Sequence, residues 1–100
     1  MKKENFWWYN IKEKKFVEDS GCRRRFGGLV CFLSKAEIGW CVVEATTGSR
    51  IGEVCFTKEQ AIASANAGLA RHKDRIREAL DRTIAEHGES PWVALQKRPE

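Results

Sequence analysis

The sequence lacks any long apolar run. A helix crossing a bilayer needs about 18 or more consecutive apolar residues, and the runs here, such as Leu29 to Leu33, are of strand length. The aromatic Phe6-Trp7-Trp8-Tyr9 is followed at once by Asn10 and then by Lys12-Glu13-Lys14-Lys15. Lys2 and Lys3 therefore do not open a secretory leader, whose apolar region is longer. The expectation is an intracellular, cytoplasmic protein with no membrane partner. No C-x-x-C pair occurs among Cys22, Cys31, Cys41 and Cys55. Structural zinc sites usually take ligand pairs two to four residues apart, and without an export signal thiols stay reduced. Three of the four lie inside apolar runs, where cysteine acts as a small hydrophobe. A zinc site built from these with His72 or His87 is the disfavoured alternative, and no metal or cofactor is expected. P-loop, nucleophile-elbow and H-E-x-x-H patterns are also missing. His72 and His87 lie fifteen positions apart on one expected helix, about 22 Å along it, and cannot share a site. With no catalytic set in view, the reading is a protein that is not an enzyme. No internal repeat or low-complexity stretch is present.

The composition fits one domain. A chain of 100 residues with 42% hydrophobic content can bury one core. The expected domain spans residues 1–95, with 96–100 a loose tail. Lys and Arg total 18 against 14 Asp and Glu, a net charge of +4. That balance permits an acidic partner without demanding one.

Residues 6–11 are aromatic and β-prone and read as a strand. A charged turn over 12–15 and a short strand at Phe16-Val17 follow. Glu18 to Gly28 reads as an irregular loop, because Asp19-Ser20-Gly21 and Gly27-Gly28 are turn signals. Leu29 to Leu33 is a strand, Ser34 to Ile38 a polar connection, and Gly39 a turn residue. Gly39 to Ala45 and Arg50 to Phe56 form a hairpin. A two-residue turn at Gly48-Ser49 would set Glu44 against Glu53, and facing like charges are destabilising. A type I turn through Thr46-Thr47 with Gly48 left-handed instead sets Glu44 near Arg50. The second register is preferred.

Thr57-Lys58-Glu59-Gln60 is a capping box, with Phe56 and Ala61 as a weak hydrophobic staple. Ile62, Ala65, Leu69, Ile76, Leu80 and Ile84 recur at helical spacing, and Gly88 follows as a left-handed stop. Lys58 to His87 would run about 45 Å if straight, against about 20 Å for a six-residue strand. A bend near Asn66 and Gly68 is expected, with the second half overhanging the sheet from about Leu69. Ser90 with Pro91 opens either a short helix or an extended tail held by Trp92.

Two surfaces follow. Arg23, Arg24 and Arg25 beside Phe26 and two glycines read either as a solvated loop or as a phosphate grip with a stacking ring. Strand 6–11 cannot bury all its aromatics, because alternation sends them to both faces. Trp7, Tyr9, Trp92 and Arg23 to Phe26 are therefore the candidate partner-binding residues. The stripe Leu69, Ile76, Leu80 and Ile84 is the candidate self-association face, compatible with a homodimer. The interleaved charges, such as Arg77 with Asp81 and Glu78 with Arg82, read as a solvated helix.

The stretch Trp40 to Ile62, with Thr47-Gly48, Ile51-Gly52 and the Phe56-Thr57 helix entry, resembles a hairpin-then-helix unit of small phage and mobile-element proteins. It covers about a quarter of the chain. Proteins of that style include anti-CRISPRs and other host-defence inhibitors. The resemblance implies a phage-encoded stoichiometric inhibitor of a bacterial defence nuclease or CRISPR complex, with a bacterial protein as partner and the host cytoplasm as its place. The alternative is a small basic nucleic-acid-binding protein using Arg23 to Arg25 and the surface aromatics. The expected fold is α+β: an antiparallel sheet of three to five strands with one long, bent C-terminal helix on one face.

Overall fold

The apolar run Leu29 to Leu33 becomes a strand that is buried on both faces. The computed structural model describes residues 3–97 and contains β1 (Lys3–Asn10), β2 (Lys15–Phe26), β3 (Leu29–Ala36), β4 (Gly39–Glu44), β5 (Arg50–Cys55), α1 (Lys58–His87) and α2 (Pro91–Gln96). The five strands form one antiparallel sheet in sequence order. With the long helix this is an α+β fold, as expected. On β3, Cys31 and Leu33 face a core shared with Val42, Ile51, Ala65 and Leu69. Phe32, from the intervening position, faces a second core with Phe6, Val43, Trp92 and Val93. A strand buried on both faces shows continuous apolar character rather than alternation.

The largest departure from the sequence reading is β2. The stretch Glu18 to Gly28 is a strand nearly to its end, so Arg23, Arg24 and Arg25 are strand residues and not a loop. Gly21 is there for clearance: a Cβ at this position would collide with the Leu33 carbonyl oxygen and press on the Phe6 ring. Glycine inside a strand often marks such a close approach. Only Gly27 and Gly28 form a turn, both at positive φ (52° and 84°). That is the geometry a two-residue hairpin turn of type I′ requires. Ser34, Lys35 and Ala36 likewise continue β3, and the turn falls at residues 37–38, with Gly39 paired to Ala36 as the first residue of β4.

Pairing of β2 with β3 begins only at Cys22–Leu33, whereas β1 pairs with β2 back to Lys15. Beyond Gly21 the two strands splay and the first hairpin curls over the far face of β3 and β4. The curl is deep. The Phe6 ring stacks on Phe32 at 4.9 Å, and the Tyr9 amide donates to the Gly48 carbonyl in the β4–β5 turn at 3.0 Å.

In that turn Gly48 has φ 72°, as the preferred register requires. The pairing is offset by one from the expected one. Val43 sits opposite Arg50, and the Glu44 amide bonds the Ser49 carbonyl at 2.7 Å. The Glu44 side chain does not meet Arg50. It turns inward and accepts from the amides and hydroxyls of Thr46 and Thr47.

The capping box forms as read: the Gln60 amide donates to Thr57 Oγ1 at 3.1 Å, and the Thr57 amide to Gln60 Oε1 at 3.2 Å. Phe56 makes no staple and is exposed. The helix bends at His72 (φ −133°, ψ 32°) rather than near Gly68. A straight helix of this length would run about 45 Å, and with the bend the longest extent of the molecule is 34 Å. The bend keeps the second half on the sheet, so Leu80 joins Leu69 in the first core, with Ile76 packed against it. The expected overhang does not occur. Neither Arg77–Asp81 nor Glu78–Arg82 closes to an ion pair among the described residues, in keeping with the small gain such exposed pairs offer. Gly88 ends the helix at φ 79° and ψ 176°, a positive φ but not the left-handed helical conformation expected, its amide bonding the Ile84 carbonyl at 2.8 Å.

Ser90 and Pro91 open a short helix, the first of the two alternatives. The Ser90 hydroxyl donates to the Ala45 carbonyl and its amide to Thr46, which fastens α2 to the β4–β5 turn. Of the expected tail, Gln96 ends α2 and Lys97 caps it, while residues 98–100 lie outside the described residues. No described helix is long and apolar enough to cross a membrane.

Candidate functional site

The splay of β2 from β3 opens a cleft of about 920 Å³ between the curled hairpin and the β4–β5 face. Strand register decides what enters it. Asp19 is paired with Phe6, Ser34 with Cys41, and Val43 with Arg50. Paired residues of an antiparallel ladder project to the same side. Phe6, Cys41 and Val43 belong to the second core, so Asp19, Ser34 and Arg50 project toward that side as well. Trp8 and Tyr9 wall the cleft from β1, Val43 and Val54 from the sheet, and Thr83 and His87 from the end of α1. The Tyr9 ring stacks on His87 with centroids 4.1 Å apart and meets Phe16 edge-on at 5.1 Å.

The polar floor is coherent. The buried Ser34 hydroxyl lies 3.5 Å from Asp19 Oδ2. The Cys41 thiol, nearly buried beside it, has its pKa raised chiefly by burial; Arg50 lowers it, Asp19 raises it, and the Ser34 hydrogen bond lowers it. Both charges therefore act on one thiol, yet no ion pair joins Asp19 to Arg50 among the described residues. A thiol held protonated is a poor nucleophile. The Cys31 thiol, on the helix side, is pushed up to about 12 by burial and then by Glu44. Among the described residues all four cysteines are free, and no cluster of three His, Cys, Asp or Glu side chains is placed to hold a metal ion.

A second feature lies at the rim formed by the β3–β4 turn and the end of β5. Ile38 and Phe56 are 77% and 85% exposed. They share this rim because Gly39 packs against the backbone of Cys55 and Phe56. Beside them the Lys58 and Lys35 ammonium groups lie 4.7 Å and 5.7 Å from the centre of the Trp40 ring.

The residues singled out from sequence are dispersed. Trp92 is 8% exposed and meets Phe32 edge-on, and Phe26 is buried in the first core, so both are core side chains and not the surface residues expected. Arg23 is held by a two-pronged ion pair to Glu4 (2.7 and 3.1 Å) and lies over the Trp92 ring. Arg24 and Arg25 are exposed, but strand alternation sends them to opposite faces, so the three guanidiniums do not converge. Trp7 is half-buried in a shallow groove against Pro91, Ala94 and Leu95 of α2, and Tyr9 is half-buried in the cleft. Leu69 and Leu80 are spent in the protein's own core, leaving only Ile76 and Ile84 half-buried.

The sequence reading missed Asp19, Ser34 and Arg50, whose convergence depends on register across separate strands. It also missed Ile38 and Phe56, although an apolar residue in a turn and another just before a helix cap were visible signals. Comparison with known proteins finds no match: no family model, no curated protein and no solved structure is detectably similar to this chain.

Proposed function

We propose that this protein works by binding another protein without catalysing a reaction, as a stoichiometric inhibitor of a bacterial nuclease or defence complex such as a CRISPR effector. The observation that carries the binding reading is the rim with Ile38 and Phe56 almost fully exposed. Two large apolar side chains on one edge of a small protein lose solvation free energy until something covers them. Trp40, next to this rim, adds an aromatic side chain of the kind enriched at interfaces. The nature of the target comes from the hairpin-then-helix resemblance alone, and a phage origin belongs to that same reading.

The test uses the full chain, tagged, in a bacterial lysate with and without nuclease treatment. Wild type is expected to retain one protein under both conditions. The Ile38→Asp, Phe56→Asp double variant is expected to lose it while keeping its melting temperature. Retention unaffected by the double variant would overturn the rim as the interface. Retention that disappears with nuclease would favour nucleic acid as the partner, and it should then weaken steeply with salt as counterions are released.

A further inference from the structure

The cleft is concave, with an apolar wall of Trp8, Tyr9, Val43 and Val54 and converging polar groups, the make-up of a ligand site; Lys35 and Glu37 lie at its edge toward the exposed rim. Its volume of about 920 Å³ suits a small molecule. Three observations restrict what that molecule is. Asp19, whose Oδ1 accepts from the Ser20 amide at 2.8 Å and Oδ2 from the buried Ser34 hydroxyl at 3.5 Å, offers a carboxylate held in place on the β2 side. Arg50, directed to the same side through its pairing with Val43, offers a guanidinium on the β5 side. Trp8, Tyr9, Val43 and Val54 line the space around them. The two charges stay unpaired with each other, although opposite charges on facing walls attract. Asp19 already accepts from Ser20 and Ser34 and Arg50 is exposed, so a ligand carrying both an ammonium and a carboxylate complements the charge of each at once.

We propose that the cleft between the curled β1–β2 hairpin and the β4–β5 face binds a small apolar zwitterion of the α-amino-acid class, its ammonium on Asp19, its carboxylate on Arg50 and its side chain among Trp8, Val43 and Val54. A lone anion would leave Asp19 facing it, and a lone cation would meet Arg50. A neutral hydrocarbon would strip water from both charges without replacing it, which is costly. The zwitterion avoids all three penalties. The residues assigned to the ligand do not include Ile38 or Phe56, so the proposal is tested apart from the protein-binding reading.

The experiment is a titration of the isotope-labelled full chain with L-phenylalanine, followed by backbone amide shifts. Phenylacetate and phenethylamine serve as the two halves of the probe. L-Phenylalanine is expected to shift the amides of Trp8, Val43 and Val54 saturably at up to about millimolar concentration. Arg50→Gln should weaken phenylalanine and phenylacetate about tenfold or more while sparing phenethylamine. Asp19→Asn should weaken phenylalanine and phenethylamine by a similar factor while sparing phenylacetate. Each variant thus keeps one probe as evidence that its cleft is folded. The Ile38→Asp, Phe56→Asp variant should bind phenylalanine as wild type does. Absence of saturable shifts at the cleft with all three probes, or variants that bind all three unchanged, would overturn the proposal.

Discussion

Glu44 is a carboxylate folded inside a turn, 2% exposed. Such a burial is tolerable only if the charge is hydrogen-bonded. Here the Thr46 amide and hydroxyl donate at 2.8 and 2.7 Å, and the Thr47 amide and hydroxyl at 3.0 and 2.9 Å. The Thr47 hydroxyl in turn accepts from the Ser49 amide at 3.1 Å, so one side chain organises the β4–β5 connection. Glu44→Ala would leave the Thr47 donors buried without an acceptor. A loss of about 3 kcal/mol is expected from urea unfolding, and a loss under about 1 kcal/mol would show that the turn holds without the carboxylate. From sequence alone Glu44 looked like a cross-strand partner for Arg50. A one-residue offset in pairing redirected it, and that offset frees Arg50 for the cleft.

At the scale of elements, local signals were legible and tertiary ones were not. The capping box at Thr57 and the left-handed Gly48 are satisfied by residues within four positions, so the sequence states them outright. The strand β2 was misread because Gly21 and the Gly27-Gly28 pair look alike in sequence. One clears a neighbouring strand and the other makes a turn. The bend of α1 shows the same divide: propensity points to Gly68, whereas the bend falls at His72 and returns Ile76 and Leu80 to the first core. Two alanine substitutions separate these glycines. Gly68 has open space where a Cβ would go, and Gly68→Ala should stabilise by about 1 kcal/mol through helix propensity. Gly21→Ala must displace the Leu33 backbone or the Phe6 ring and should cost about 2 kcal/mol or more. Thermal melts that moved in the same direction for both would contradict this account.

At the scale of the whole molecule, the five-strand meander and its helix follow from the order of the sequence segments, and the α+β class was legible for that reason. The cleft was not. Asp19, Ser34, Cys41 and Arg50 come from four strands, and no spacing rule in the chain connects them. They meet because β2 pairs with β3 over only part of its length and then departs. The same departure explains why four consecutive aromatics are accommodated. Phe6 reaches the second core, Trp8 and Tyr9 wall the cleft, and Trp7 rests against α2.

The curled hairpin is joined to the β4–β5 turn, among the described residues, by one backbone hydrogen bond, from the Tyr9 amide to the Gly48 carbonyl. A ring of strands closed by one bond has a seam. Releasing that bond and the Tyr9–His87 stack disturbs neither the β1–β2 ladder nor Phe6 in the second core, so the end of the hairpin can part while the rest stays folded, as sub-global openings do. The Tyr9 amide should therefore exchange its hydrogen faster than the amides of β3 and β4, at a rate insensitive to mild denaturant. Exchange at the same rate as the β3 amides would mean that the seam opens only when the whole protein does. With the faster exchange, the hairpin is a hinged flap, and how often it lifts decides how readily anything reaches the space beneath it.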